Sequence, residues 1–288
     1  MNATLKIIIS MLLYGTIPYF VTLANMPSAH TAFFRTLFGS AFLMLFIILT
    51  KHKINFNALK KNRVKLAVSG AFMGLNWVSL FESYRYISTS VSTIIYYLAP
   101  VMVLVLAPFL LKEKLSVSKI VGVCIALVGV ILLNQNSSPS SVVTIGLILA
   151  FISAILYASI ILINKKVKGV DGLDSTLVQL LVACIVLFVY MTVTSQLNIS
   201  FASTTSFITI VILGIVHTGI AYCLYFSAIS YVNAQMIALY SYIDPLVVIL
   251  VSTIFLDESM SFIQVVGAIL IFMGAIFGQF YKSKVQKV

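Results

Sequence analysis

The chain has 288 residues, of which 61% are hydrophobic and only 9% are charged. A soluble domain usually carries about a quarter charged residues, so this composition excludes a surface that meets water on all sides and indicates that lipid covers most of it. The formal net charge of +11 would suit a nucleic-acid partner, but the distribution of the basic residues described below does not.

Apolar runs of roughly 20 residues follow one another along the whole chain. In chain order they cover 5–24, 30–50, 65–86, 88–111, 117–134, 142–163, 174–194, 206–227, 234–256 and 262–281. Such lengths suit helices that cross about 30 Å of hydrocarbon, and no run alternates in polarity as a membrane strand would. The first run is not followed by a clear small-residue cleavage site, so it is predicted to be a retained span. We therefore predict an all-α integral membrane fold of ten transmembrane helices.

The basic residues lie in every second loop. All except Arg35 and Arg85 fall at Lys6, in the loops after runs two, four and six, or in the C-terminal tail. The intervening loops, 25–29, 135–141, 195–205 and 257–261, contain none. Because cytoplasmic loops are enriched in Lys and Arg, both termini are predicted to lie in the cytoplasm of a multi-pass cell-membrane protein. Topology thus accounts for the positive charge, and no nucleic-acid partner is predicted.

The second half of the chain repeats the first. Residues 98–133 align without gaps to residues 243–278, and this register places Pro100 with Pro245 and Gly129 with Gly274. Each half holds five runs, and an odd number means that the second half enters the membrane from the opposite side. We predict two inverted five-helix repeats, residues 1–136 and 137–288. Inverted repeats are typical of alternating-access carriers, with a substrate site near the midplane; the alternative is a duplication kept only for stability.

The pattern resembles the ten-helix EamA-type members of the drug/metabolite transporter superfamily, along essentially the whole chain. The matching features are Tyr14-Gly15, where the family often has Trp-Gly, Arg35, the prolines of spans 4 and 9, the runs 112–116 and 257–261, and the glycines of spans 5 and 10. The resemblance implies a central cavity lined by spans 1, 3, 4, 6, 8 and 9. It also implies transport of a small metabolite such as an amino acid, a cation or a nucleoside.

Two acidic residues, Glu82 and Asp244, lie within predicted spans rather than at their first or last residue. A carboxylate at the centre of a membrane helix costs about 3 kcal/mol, so each needs a partner or a cavity. Asp244 next to Pro245, which removes a backbone donor, is predicted to bind a cation or a proton; the alternative is a kink residue bonded to a neighbouring group. Glu82 lies three residues before Arg85, which fits either an interfacial ion pair or an outer gate.

Other polar and aromatic residues complete the predicted substrate-binding set. Arg35 could anchor a substrate carboxylate or extend to the interface, and His217 could shuttle protons or bond a neighbouring helix. Aromatic faces attract ammonium groups, although ordinary helix packing is the alternative for each ring. The predicted substrate-binding residues are Tyr14, Asn76, Trp77, Glu82, Tyr97, Tyr157, His217, Tyr222 and Asp244. Pro100, Pro245, Arg35 and Arg85 are predicted to act in gating or as hinges.

Close helix packing is predicted from the glycines of spans 5 and 10, which include a GxxxG motif at Gly274 and Gly278. These spans could pair within one protomer or across a homodimer, and the sequence does not choose between the two.

The function predicted from the sequence is secondary transport of a small metabolite, such as a cationic or amine-containing solute or an amino acid, coupled to protons or to exchange. A lipid-linked sugar flippase is the alternative on the same scaffold. The chain has no phosphate-binding loop of an ATPase, no metal-ligand spacing and no nucleophile elbow. No enzyme activity, cofactor or metal is therefore predicted.

Overall fold

The computed structural model describes residues 2–111, 117–134, 141–229, 231–232, 240–241 and 243–280. In these residues the chain is helical, and its helices are joined by short turns. The helices are α1 (Ala3–Ala24), α2 (Ser28–Leu49), α3 (Phe56–Ser83), α4 (Thr89–Tyr96), α5 (Ala99–Leu111), α6 (Val117–Asn134), α7 (Ser141–Asn164), α8 (Gly172–Val193), α9 (Thr204–Gly214), α10 (Ala221–Ile229), α11 (Ile243–Phe255) and α12 (Phe262–Phe280). A π segment, Ile215–Ile220, joins α9 to α10 without a break.

Six helical stretches among the described residues are long and apolar enough to cross a membrane. They are α1, α2, α3, α7, α8 and the combined stretch Thr204–Ala228. Four shorter apolar stretches accompany them: Thr89–Val103, Ile120–Gly129, Ile243–Phe255 and Phe262–Gly274. Each of the ten stretches falls within, or overlaps, one of the predicted runs, and the all-α prediction is confirmed.

The fourth span consists of two helices, whereas the apolar run 88–111 predicts one. The helix α4 ends at Tyr96, α5 begins at Ala99, and Pro100 lies in the first turn of α5. Inside a continuous helix, the ring of Pro100 would clash with the carbonyl of Tyr96 four residues earlier, whereas a first turn tolerates proline. Pro245 likewise lies in the first turn of α11. Residues 234–239 and 242 of the predicted ninth span lie outside the described residues.

A glycine seam joins α6 to α12 within one protomer. A Cβ atom on Gly274 would lie 2.4 Å from the carbonyl oxygen of Gly122, and one on Gly129 would lie 2.5 Å from that of Gly267. Real Cβ atoms do not approach a backbone oxygen so closely, so these positions need glycine for the two helices to touch. In the structure, spans 5 and 10 thus pair within one protomer through these glycines.

Changing Gly274 to Val should lower the melting temperature of the purified protein markedly. The new side chain would meet the backbone of Gly122 and Ala126, and overpacking of this kind destabilises by about 1–3 kcal/mol. Thermal unfolding in detergent measures the effect. Met273→Val, one residue earlier on the exposed side of α12, is the matched control and should change the melting temperature little. Equal shifts in the two variants would contradict the assigned packing.

A carboxylate from the α11–α12 connection caps the first turn of α4. Glu258 Oε1 accepts hydrogen bonds from the backbone N–H of Thr89 (2.7 Å) and from its hydroxyl (2.9 Å). Oε2 accepts from the backbone N–H and the hydroxyl of Ser90, both at 3.0 Å. Negative charge at a helix N-terminus is favourable, because N–H groups there have no partner inside the helix. The cap ties α4, at the edge of the central cavity, to the far end of the chain.

Candidate functional site

A central cavity of about 180 Å³ lies where α1, α3, α4, α7, α10 and α11 converge, with one residue from α2. Its walls are formed by Tyr14, Ile17, Pro18, Arg35, Met73, Asn76, Trp77, Leu80, Phe81, Tyr84, Thr93, Tyr96, Tyr97, Tyr157, Ile160, Tyr222, Asp244 and Val248. The helices correspond to spans 1, 3, 4, 6, 8 and 9, which the family resemblance implied, and span 2 adds Arg35. Cavities for drug-sized ligands are usually about 300–1,000 Å³, so this one fits a smaller solute.

Asp244 forms the acidic end of the cavity. It lies in the first turn of α11, where the helix dipole favours a carboxylate. The hydroxyl of Tyr97, in the break between α4 and α5, donates a hydrogen bond to Asp244 Oδ2. Gly15 lets α1 approach at the same level, since a Cβ there would lie 2.6 Å from the carbonyl oxygen of Asp244. The break between α4 and α5, the first turn of α11 and a glycine on α1 thus hold this carboxylate at the cavity wall.

Most of the other polar residues in the cavity wall are tyrosines. Tyr96 and Tyr157 stack with their centroids 4.7 Å apart and an interplanar angle of 12°. Tyr14 meets Tyr222 edge-on at 5.8 Å, and the buried hydroxyl of Tyr14 has no hydrogen-bond partner in the described part of the protein. Stacked tyrosine faces next to a carboxylate suit an ammonium group, which gains from both ring and charge.

Arg35 forms the basic part of the cavity wall and is only 3% exposed. Its Nε donates to the hydroxyl of Thr218 at 2.9 Å, and its guanidinium carbon lies 4.1 Å from the centroid of the Trp77 ring. Within the described residues it forms no ion pair with a carboxylate, Asp244 included. In the structure the Arg35 side chain lies buried in the cavity wall rather than at the exposed surface of α2.

The π segment positions the partner of Arg35. Its wider turn lets the Thr218 hydroxyl donate to the carbonyl of Leu213, five residues earlier, at 3.1 Å. Gly39 allows α2 to pack tightly here, because a Cβ there would lie 2.5 Å from Thr218 Cγ2. Together these features turn the Thr218 hydroxyl toward α2 and fix the direction of the guanidinium.

Two predicted members of the site lie outside the cavity. His217 is 1% exposed and lies behind the wall, where its Nε2 is 2.9 Å from the hydroxyl of Thr16 and its ring packs against Phe20. Glu82 accepts from the hydroxyl of Ser28 at 2.6 Å and pairs with Arg85 at 3.4 Å. Phe81 and Tyr84, on either side of it in the sequence, line the cavity, but Glu82 lies on a different side of α3 and lines a separate hollow of about 560 Å³ near the end of that helix.

The other predicted residues fall at or near the cavity. Asn76 contributes to its wall while its amide donates to the carbonyl and hydroxyl of Ser153, at 2.7 and 2.9 Å, which joins α3 to α7. Pro100 and Pro245 start the helices α5 and α11 and are not wall residues. Arg85 lies at the hollow that holds Glu82.

Several wall residues were not singled out as site residues in the sequence analysis, among them Pro18, Thr93 and Tyr84. Only the position of Pro18 inside an apolar run could have pointed to it. Thr93 and Tyr84 carry no pattern of their own, since a span that is apolar all round does not show which face meets the cavity.

Different groups lie at the two ends of the cavity. Phe81 and Tyr84 line the cavity and also a hollow of about 300 Å³ beside the α1–α2 turn. Toward the other end, Ile7, Met11 and Ala228 form a buried cluster, to which Tyr14 at the cavity wall also packs. Phe81 and Tyr84 thus lie at one end of the cavity, and the contact between α1 and α10 lies at the other.

The arrangement suits binding of a small charged solute. Asp244 and Arg35 offer opposite charges in one enclosed space, with aromatic faces near both. Within the described ranges, no three His, Cys, Asp or Glu side chains lie close enough together to hold a metal ion.

A bundle of apolar helices around a central cavity that carries charged and aromatic groups is the architecture of a membrane transport protein, and comparison with known proteins agrees. The profile of the EamA-like transporter family matches residues 1–135 and, a second time, residues 144–278. The chain belongs to this family and so has its ten-helix membrane fold.

Similar proteins carry transporter names without a stated substrate. The uncharacterized transporter YxxF of Bacillus subtilis (strain 168) is 29% identical over 95% of this chain and 88% of its own length. The uncharacterized transporter YvbV of the same organism is 25% identical over 86% of this chain and 81% of its own. A solved crystal structure at 16% identity superposes with a TM-score of 0.69 over 96% of this chain and 97% of that one, which shows a shared fold.

Proposed function

We propose that the protein is a secondary active transporter that moves a small solute carrying both an ammonium and a carboxylate group, such as an amino acid. The observation that supports this most is the presence of Asp244 and Arg35 in one cavity with no ion pair between them in the described residues. Buried charges without counter-charges are unfavourable, and a bound zwitterion supplies a partner to each.

The ammonium group is assigned to the acidic end of the cavity. There it would meet the carboxylate of Asp244 and the faces of Tyr96 and Tyr157, which lie stacked beside it. Both attractions are strong where water is excluded. A cationic solute without a carboxylate would use this end alone and bind more weakly.

The carboxylate is assigned to Arg35. Its Nε is committed to Thr218, which leaves the terminal nitrogens of the guanidinium to bind two oxygens in a bidentate manner. Stacking on Trp77 fixes the plane of the guanidinium, so little freedom is lost when a ligand binds.

Movement of the solute is assigned to rocking of two inverted repeats, residues 1–136 and 137–288. Pro100 and Pro245, in the first turns of α5 and α11, lie beside the cavity and would serve as hinges between the states. In this proposal both termini face the cytoplasm, the protein resides in the cell membrane, and a proton on Asp244 or a counter-solute drives the cycle.

A thermal-shift screen of the purified protein in detergent tests the proposal. Amino acids, choline-like amines, simple carboxylates, nucleosides and sugars are compared, each at up to about 10 mM. A ligand at a hundred times its Kd stabilises the folded state by about 2.7 kcal/mol, which raises the melting temperature by several degrees. Amino acids should stabilise more than amines, and amines more than carboxylates. Stabilisation by neutral sugars or nucleosides alone would overturn the zwitterion assignment.

Transport itself is tested in proteoliposomes. Vesicles loaded with the stabilising solute should exchange it for external radiolabelled solute, while vesicles without protein should not. Binding without any exchange or pH-driven uptake would refute the transport mechanism.

A further inference from the structure

The strongest charged patch outside the cavity lies at the base of α3. Residues 51–65 carry six basic residues and no acidic one: Lys51, Lys53, Lys60, Lys61, Arg63 and Lys65. All six side chains are exposed, and none forms an ion pair with a carboxylate in the described residues. We refer to these six residues as the basic patch.

The helix that carries the patch is longer than the membrane needs. With 28 residues α3 is about 42 Å long, whereas the hydrocarbon layer is about 30 Å thick. The buried apolar residues of α3 begin at Leu66, so we place the preceding turns at the level of the lipid headgroups. The basic patch therefore meets the layer in which lipid phosphates are found.

Apolar side chains accompany the charges on the same face of the helix. Phe56 is 72% exposed and Val64 is 68% exposed. At spacings of four, seven and eight residues from Phe56, Lys60, Arg63 and Val64 share one side of α3. Basic residues that only set the orientation of the protein in the membrane need no apolar neighbours. An exposed aromatic ring beside lysines is instead typical of a surface that enters the lipid interface.

Hydrogen bonds between loops hold the patch in place. His52 and the backbone N–H of Asn55 both bond to the buried carboxylate of Asp174, at 2.9 and 3.3 Å. Lys65 Nζ donates to the carbonyl of Lys166 at 2.7 Å, and Asn62 donates to that of Lys168 at 3.0 Å. These bonds bring the exposed Lys166 and Lys168 of the α7–α8 loop next to the patch. The charges are thus gathered on a fixed surface rather than spread along mobile loops.

We propose that the basic patch is a binding site for the phosphate-bearing headgroups of anionic phospholipids in the leaflet that borders it. The exposed Phe56 and Val64 favour a lipid over free phosphate, because the acyl chains of a lipid would cover their apolar surface and a phosphate ion would not. The proposal does not depend on which solute the cavity carries.

The experiment is native mass spectrometry of protein released from nanodiscs of phosphatidylcholine with about 30% phosphatidylglycerol. The test variant is Lys60→Gln/Lys61→Gln/Arg63→Gln. The charge-matched control is Lys282→Gln/Lys284→Gln/Lys287→Gln in the C-terminal tail. The wild type and the control should retain phosphatidylglycerol. The test variant should retain it roughly ten-fold less or weaker still, because each cation near the headgroups adds to the attraction.

Two further measurements, together with the comparison of the two triple variants, distinguish lipid binding from a topology signal and from a free-phosphate site. Phe56→Ser should weaken retention without a change of charge. Equal retention in both triple variants, or equal loss, would show that the charges serve topology alone and would overturn the proposal. Displacement of bound lipid by about 10 mM inorganic phosphate would also overturn it, since the site would then be one for free phosphate.

Discussion

Asp244→Asn should abolish measurable transport and lower the affinity for the amine-bearing solute by roughly 30-fold or more. The change keeps the size of the side chain and its contact with Tyr97 but removes the negative charge. Losing one partner of an enclosed charge pair costs about 2–5 kcal/mol, and 1.4 kcal/mol corresponds to a factor of ten in affinity. Solute exchange in proteoliposomes and the ligand-induced thermal shift are the two measurements.

Glu82→Gln is the matched control for that change. It removes a carboxylate at the end of α3, which bonds Ser28 and Arg85 and does not line the cavity. Exchange should stay within about two-fold of the wild type, because surface ion pairs contribute little. If Asp244→Asn keeps full exchange while Glu82→Gln loses it, the site lies in the hollow that Glu82 lines, and the assignment of the central cavity fails.

Arg35→Gln should change the preference among ligands rather than remove binding altogether. Amino acids should lose roughly 30-fold or more in affinity, while amines without a carboxylate should bind about as well as before or better. The reason is that Arg35 contacts only the carboxylate in the proposed pose, and its removal relieves repulsion of a bare cation. Thermal-shift titration with an amino acid and with the corresponding decarboxylated amine measures the difference.

A conservative variant separates binding from folding. Arg35→Lys keeps the charge but loses the bond from Nε to Thr218 and the planar stacking on Trp77, so it should recover only part of the amino-acid affinity. Arg85→Gln, at an exposed arginine, is the control and should leave ligand preference unchanged. Equal losses of amine and amino-acid binding in Arg35→Gln would mean that Arg35 supports the fold and does not recognise the solute.

The spans could be predicted from sequence because lipid imposes a simple requirement on them. Each must carry enough apolar residues to cross the hydrocarbon layer, and this shows in composition and length without any tertiary information. The division of the fourth span at Tyr97 and Leu98 was missed for a related reason. The apolar run continues through the break, so composition does not mark it. Proline in a membrane helix ends the helix in some contexts and only bends it in others. Pro18 illustrates the second outcome, since α1 continues through it.

The location of Arg35 could not be read from the sequence. Its depth suits either the interface or the cavity, and the choice depends on how α2 is rotated against its neighbours. That rotation is set by contacts such as Gly39 against Thr218 and Gly214 against Phe38, which join residues far apart in the chain. The pattern of neighbouring residues in the sequence does not reveal these contacts. The π turn that presents Thr218 leaves no clear sequence signal either.

The cap on α4 has a consequence for how the protein is made. Glu258 follows Thr89 by 169 residues, so the first turn of α4 has no such acceptor until nearly the whole chain has left the ribosome. Until then its N–H groups must stay where water can bond them, because unsatisfied backbone groups are not tolerated in hydrocarbon. The first turn of α4 therefore gains this cap only after the chain up to Glu258, which precedes the last span, has been made, and a chain that stops before residue 258 would lack it.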